Sequence, residues 1–184
     1  MKNILTMVLF FSVTTIACAG TNGHEPLRVE QNVDIQKYQG FWYELERFDI
    51  KFEKGCGNVT ADYKLTKKGK VKVVNTCVKK KKNGKLKTKD AKGVAFVVDK
   101  KTNARLKVSF VPFFKWLGWF AGDYNIIKLG PNYEYVLVGS QDRKYLWILS
   151  RTPSLPEDTK DMLKAEARAQ GFDTSKLIVT PSFR

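Results

Sequence analysis

Gly40-Phe41-Trp42-Tyr43 and Tyr145-Leu146-Trp147-Ile148-Leu149-Ser150-Arg151 are the two stretches whose joint reading decides the fold. A tryptophan such as Trp42 needs a deep apolar home, because few side chains bury more area. Gly40, two positions earlier, lets another chain segment approach closely. Arg151 ends the last strong strand candidate. If the first and last strands of a sheet close on each other, Trp42 and Arg151 meet at one end. A guanidinium over an indole face is worth roughly 0.5–2 kcal/mol there. The expected role of Gly40, Trp42, Tyr43 and Arg151 is therefore structural.

Between these stretches, short β-branched and aromatic runs alternate with turn signals at roughly ten-residue spacing, the pattern of an antiparallel sandwich or barrel. Strands are expected to start near Gly40, Asn58, Lys70, Lys92, Ala104, Asp123, Tyr133 and Lys144. The linkers Asp99-Lys100-Lys101-Thr102-Asn103 and Gly130-Pro131-Asn132 carry the residues that tight turns need. One helix follows. Ser154-Leu155-Pro156-Glu157 reads as a capping box, Met162, Ala165, Ala169 and Phe172 as its apolar stripe, and Gly171 as its end. Leu177-Ile178-Val179-Thr180 would add a ninth strand. The fold expected is all-β: an eight-stranded antiparallel up-and-down β-barrel with one C-terminal α-helix, a size that can hold one small ligand.

The start of the chain speaks to compartment. Met1-Lys2-Asn3 is a short positive beginning, and residues 4–16 are largely apolar. That run is too short to span a bilayer as a helix but suits a signal-peptide core. Thr15-Ile16-Ala17-Cys18 resembles a lipobox, with Cys18 acylated (for instance by palmitate) and Thr15 where leucine is usual. The competing reading is ordinary cleavage at Ala17-Cys18-Ala19. The domain scheme is 1–18 signal peptide, 19–33 flexible tether and 34–184 barrel domain. Of three cysteines, Cys56 and Cys77 then remain as a pair. They flank a hairpin whose register brings them near disulfide range, provided Gly57 kinks or bulges the strand start. No histidine lies nearby to suggest a metal; His24 falls in the tether. The formal charge is +15, falling by one with the leader. No recognised nucleic-acid module accompanies that charge, so nucleic acid is not an expected partner.

With these residues in place, the chain resembles the bacterial outer-membrane lipocalins from about Val33 to its C-terminus. Gly40, Trp42 and Tyr43 match the first family motif. Arg151, within Leu146-Trp147-Ile148-Leu149-Ser150-Arg151-Thr152-Pro153, matches the third. The second, T-D-Y, is partial: Pro131-Asn132-Tyr133 keeps the tyrosine and loses the aspartate. Asn58-Val59-Thr60-Ala61-x-Tyr63 and Gly122-Asp123-Tyr124-Asn125 are similar to segments of the same subgroup. The resemblance implies a closed barrel binding small hydrophobic molecules such as fatty acids or lysophospholipids, for storage or transport. It also implies an exported, lipid-anchored protein on the periplasmic side of the outer membrane, with a soluble periplasmic or secreted form as the alternative. No cofactor is expected, and a homodimer is left open.

Alternation picks Val59, Ala61, Tyr63, Val71, Val73, Val94, Phe96, Leu106 and Val108 as cavity walls. Loops 50–56, 79–89, 112–121 and 141–143 gather at the open mouth. Residues 79–89 are lysine-rich, and residues 112–120 nearly all aromatic. The lysines read either as a solvated hairpin tip or as a partner for anionic headgroups. The aromatics Phe113, Phe114, Trp116, Trp119 and Phe120 read either as a lid or as a membrane-docking rim. A lipocalin-fold enzyme is the rival class. Its only suggestive pair is Glu44 and Glu46, which simple alternation places on one face, and the expectation is that the protein is not an enzyme.

Overall fold

The computed structural model describes residues 25–110 and 121–183. Helix α1 (Ile35–Tyr38) precedes strands β1 (Gly40–Phe48), β2 (Gly57–Leu65), β3 (Val71–Lys80), β4 (Leu86–Val97), β5 (Arg105–Ser109), β6 (Gly122–Leu129), β7 (Tyr135–Gly139) and β8 (Leu146–Ser150). Helix α2 (Glu157–Ala169) and strand β9 (Leu177–Val179) complete the chain. From β1 to β8 each strand pairs with the next, β8 returns to β1, and β9 adds to β1, so the sheet closes. The eight-stranded barrel with its helix and short ninth strand is thus the fold that forms.

Three local features shape it. The first is a bulge in β1, where Glu44 faces Leu149 but Glu46 faces Ile148. Leu45 is the extra residue, and its carbonyl accepts a hydrogen bond from the Thr180 N–H at 2.9 Å. Below the bulge β1 pairs with β2 over Gly40–Tyr43; above it, Glu46–Phe48 pair with β9 instead. The second is the opening of β2, where the register slips between Gly57 and Thr60 and Asn58 has φ +46°. This is the distortion that Cys56 and Cys77 need, and they form a disulfide with Cα atoms 5.3 Å apart. The third is the length of the β3–β4 hairpin. The fourth strand begins at Leu86, not Lys92, and pairs without a register break from Val71↔Ala95 to Lys80↔Leu86. Its turn is held by the Gly84 N–H on the Lys81 carbonyl and the Lys81 N–H on the Lys85 carbonyl, with Gly84 at φ +79°. Most of the expected lysine loop is therefore a strand arm. Val74, Thr76, Val78, Leu86 and Thr88 supplied the alternation that the lysines obscured.

Helix α2 packs outside the barrel with Leu163 and Ala167, against Ile127, Leu137, Ile148 and Phe172. This corrects the expected stripe: Met162 is 37 % exposed, and Ala165 and Ala169 face solvent. The helix is turned so that Lys164 reaches Glu46 at 2.9 Å. The capping box is also not formed. Pro156 holds the N-cap position without a side-chain hydrogen bond, since proline displaces the helix start beyond reach of Ser154. Gly171 does end the helix, at φ +85°, with the Gly171 and Phe172 N–H groups on the Arg168 and Ala167 carbonyls. The expected tether shortens too. Leu27 and Val33 are buried, and the Glu30 and Val33 N–H groups donate to the Ile126 and Thr102 carbonyls. From Leu27 onward the chain is laid against the barrel.

Candidate ligand-binding site

The closed end is built as a plug. Trp42 is fully buried and donates its indole N–H to the Tyr38 carbonyl at 3.0 Å. The Arg151 guanidinium stands 3.9 Å over the indole ring. It also donates to the carbonyls of Phe41 and Gln39, both at 2.8 Å, Lys37 at 3.0 Å, and Tyr38 and Tyr133, both at 3.2 Å. One side chain thus ties α1, β1, β8 and the turn before β7 together. Gly40 has φ +92°, and a Cβ there would lie 3.4 Å from the guanidinium. Tyr43 is on the outer face, edge-on to Phe41. Tyr133 accepts a hydrogen bond from the Asp34 N–H at 2.8 Å, and the Glu134 carboxylate accepts one from Asn132 N–H at 2.8 Å in the turn that lacks the family's aspartate.

Immediately above the plug lies a trio of tyrosines. The Tyr38 and Tyr124 hydroxyls are 2.6 Å apart, and those of Tyr63 and Tyr124 3.0 Å. Burial pushes all three phenols above their ordinary range, so they stay neutral at any physiological pH. The space between them and Ile35, Val71, Ala95, Leu106 and Ile126 is about 10 Å³, room for one water at most. The lower barrel is therefore filled by its own side chains.

The upper barrel differs. Trp147 and Asn75 lie on the inner face of their strands yet keep partial exposure. Phe110 lies across Gly93, on the face β4 shares with Ala95, and is 41 % exposed. A Cβ on Gly93 would meet that ring at 2.8 Å. The Asn75 Oδ1 is buried without a hydrogen-bond partner among the described residues. Trp147 stacks on Tyr145 with 5.9 Å between centroids, and Tyr145 meets Phe52 at 6.0 Å, an aromatic ladder leading to the mouth.

One charged cluster stands on this inner wall. Past the bulge, Arg47 rather than Glu46 turns inward. Its Nε lies 3.1 Å from Glu44 Oε1 and 2.9 Å from Glu53 Oε2, neither in line for a hydrogen bond. Its Nη atoms donate to the Phe48 and Glu53 carbonyls at 3.3 and 3.1 Å. The Thr180 hydroxyl donates to Glu44 at 2.6 Å. Burial first, and the Glu53 charge second, push the Glu44 carboxyl up to about 8. Glu53 is also raised, by burial, against the pull of Arg47. At neutral pH the Glu44 carboxyl is thus mostly protonated beside the Arg47 guanidinium. Glu46 is outside on Lys164, so Glu44 and Glu46 do not share the face that simple alternation gives them; the bulge at Leu45 separates them.

Of the nine expected wall residues, Ala61, Tyr63, Val71, Val73, Leu106 and Val108 belong to the interior cluster. Val59 is buried beside the bulge at the start of β2. Val94 and Phe96 require correction: they face outward, Phe96 with 37 % exposure, because Ala95 and Val97 are the inward residues of β4. The run Val94-Ala95-Phe96-Val97 is apolar on both faces, so alternation could not orient it. Arg47, Glu53, Asn75 and Trp147 were missed; the bulge hid the first, and nothing in the sequence signals the second. Cys18 and Phe113, Phe114, Trp116, Trp119 and Phe120 lie outside the described residues. Among the described residues both cysteines are bonded, and no cluster of potential metal ligands occurs.

Comparison with known proteins agrees with this architecture. The model of the lipocalin-like domain matches residues 33–182. The chain is 39 % identical to the outer membrane lipoprotein Blc of Escherichia coli K12 over 89 % of its own length and 87 % of that protein's. It is 34 % identical to Blc of Vibrio cholerae, covering 93 % and 94 %, and 35 % identical to temperature-induced lipocalin-1 of Arabidopsis thaliana, covering 84 % and 82 %. Among solved structures, insecticyanin of Manduca sexta superposes with a TM-score of 0.65 over 88 % of this chain and 87 % of that one, at 18 % identity. The family model spans the whole barrel, the helix and β9, and the chain is therefore a member of the lipocalin family.

Proposed function

We propose that this protein is a carrier of single-chain lipids, fatty acids or lysophospholipids, that serves storage or transport in membrane maintenance at a bacterial outer membrane. The observation that carries the reading is the change along the inner wall from filled to only partly covered. Below the tyrosine trio the interior has room for one water. Above it, the inward Phe110 is 41 % exposed and Trp147 is only partly buried. An acyl chain is the chemistry that would bury those surfaces, at roughly 0.8 kcal/mol per methylene. Location at the outer membrane is supported by the relatives named outer membrane lipoproteins and by the leader ending at Cys18, the residue we assign as the lipid attachment point. The run Phe113 to Phe120 lies in the sequence between β5 and β6, and we assign it to contact with the bilayer. Carrier rather than catalyst is favoured because the relatives are named as lipocalins and lipoproteins and because Glu44 and Glu46 are parted by the bulge.

The test is mass spectrometry of lipids extracted from natively purified protein, together with titration of the soluble domain with a fatty acid and a lysophospholipid. Co-purifying single-chain lipid and saturable binding that quenches Trp147 are expected. A polar small molecule in the extract, with no binding of either lipid, would overturn the carrier reading.

A further inference from the structure

Because β3 and β4 pair without a register break, residues 71, 73, 75, 77 and 79 share one face with 95, 93, 91, 89 and 87. At the barrel end that face is the inner wall, carrying Val71, Val73 and Ala95. Followed outward, the same face carries Lys89 beside Cys77, then Lys79 directly opposite Lys87, then Lys81 and Lys85 at the turn. Five lysines and no carboxylate line it. The opposite face is mixed: Lys72, Lys80 and Lys92 alternate with Val74, Thr76, Val78, Leu86 and Thr88, and Asp90 is bonded there to Thr76.

This face is turned to the mouth. Lys79 Nζ donates to the Lys54 carbonyl at 2.6 Å, in the turn that also carries Phe52 and Glu53. Successive lysine pairs stand about 7 Å apart along the arm, within the ~8 Å screening length of physiological salt, so their charges repel. Like charges directly opposite in a ladder destabilise it. Arg47, the cation within the barrel, is already engaged by Glu44 and Glu53, whereas the arm lysines have no carboxylate partner among the described residues.

We propose that the inner face of the β3–β4 arm is the headgroup site: Lys79, Lys87 and Lys89 take the phosphate or carboxylate of an anionic single-chain amphiphile whose chain lies in the upper barrel. The inference rests on the lipid-carrier reading of that barrel and adds to it a selection by headgroup charge. The sequence of chemistry along the wall fits one such molecule, apolar at Phe110, polar at Asn75, cationic at the arm.

The experiment titrates the soluble domain with monomeric amphiphiles of equal chain length that differ in headgroup: a lysophosphatidic acid, a fatty acid, a lysophosphatidylcholine and a monoacylglycerol. Two triple variants carry the same loss of charge, Lys79→Gln/Lys87→Gln/Lys89→Gln on the inner face and Lys72→Gln/Lys80→Gln/Lys92→Gln on the outer. Exposed ion contacts each change an equilibrium by a small factor, so three together should amount to about tenfold. The inner triple should weaken the two anionic ligands by about that factor and leave the monoacylglycerol unchanged. The outer triple should change none of them by more than about threefold. Inorganic phosphate should not reproduce the effect, since it lacks the chain; strong competition by phosphate alone would overturn the assignment to a lipid headgroup. Equal affinity for all headgroups, or equal effects of the two triples, would overturn the headgroup site while leaving the carrier reading intact. If the inner triple impairs sedimentation with anionic vesicles but not binding of monomeric ligands, the arm serves a membrane surface and the proposal is wrong. If none of the amphiphiles binds, the carrier reading falls with it.

Discussion

Glu44→Gln tests the charged cluster on the upper wall through the pH dependence of stability. In the folded protein the Glu44 carboxyl is pushed up to about 8 by burial and by the neighbouring Glu53 charge; in the unfolded chain it returns to the ordinary carboxylate range near 4.5. Between these values the folded state binds more protons than the unfolded state, so the free energy of unfolding falls as pH rises. The contribution is fully present below about 4.5 and exhausted above about 8. A separation of that size corresponds to on the order of 3–5 kcal/mol, at about 1.4 kcal/mol per pH unit. The Glu44 side chain is almost fully buried, so solvent offers little screening. Glutamine keeps the carbonyl that accepts from Thr180 and cannot ionise. The assay is urea denaturation of both proteins at pH 5, 6.5 and 8, a window above the titration of Asp99, Asp142 and Asp173, whose carboxyls are all held low by local hydrogen bonds. Wild type and variant should be close at pH 5, and the variant should be the more stable by a few kcal/mol at pH 8. Parallel stability curves from pH 5 to 8 would refute the reasoning, because they would mean that Glu44 is ionised throughout.

Trp42→Ala should cost about 3–5 kcal/mol in denaturant titrations, as the loss of a fully buried large aromatic does, and Arg151→Lys should lower the melting temperature by several degrees because an ammonium cannot stack and serve five carbonyls at once. Replacing both Cys56 and Cys77 by serine frees a loop of sequence separation 21 and should cost about 3 kcal/mol by chain entropy, read from the shift in denaturation midpoint. Tyr124→Phe leaves the Tyr38 and Tyr63 hydroxyls without their shared partner and should cost about 1–3 kcal/mol of stability, without altering the headgroup preference of bound lipid. Phe96→Ser should leave lipid affinity within about twofold of wild type, since that ring is outside the barrel; a loss comparable to that of an inward residue would mean β4 is read in the wrong register.

What sequence reasoning reached, and where it stopped, follows from periodicity. Strands β2 and β3 alternate cleanly at Val59, Ala61, Tyr63, Val71 and Val73, and their inner faces were legible. Strand β4 defeated the same rule twice. Near the barrel its residues are apolar on both faces, and in the arm lysines occupy positions that a strand tolerates but rarely advertises. Helix α2 misled differently. Ala165 and Ala169 look apolar, but Lys164 spends its stem along the barrel wall to reach Glu46, which turns Leu163 and Ala167 inward. The largest gap came from one inserted residue. A period of two carries no warning of a bulge, and after Leu45 every side chain of β1 changes face.

That inserted residue also separates a well-sealed lower barrel from an upper one whose inner wall is only partly covered. Below Leu45, β1 pairs with β2, and the plug of Trp42, Arg151 and the tyrosine trio leaves almost no void. Above it, β1 leaves β2 and takes β9, so the seam between the two strands is bridged by three residues and by the segment that follows. There the Pro181 carbonyl accepts from Asn58 N–H at 2.8 Å and the Phe183 carbonyl from the Asn58 side chain at 3.1 Å. A Cβ on Gly57 would stand 2.4 Å from that Pro181 oxygen, so glycine is required for the closure. The same slip puts Glu46 on α2, which fastens the helix to the outer wall, and puts Arg47 inside with Glu44 and Glu53. Stability is thus concentrated in the lower barrel and on the outer helical flank, where burial is nearly complete. Less of the fold depends on the upper inner wall, where an inward aromatic such as Phe110 stays 41 % exposed.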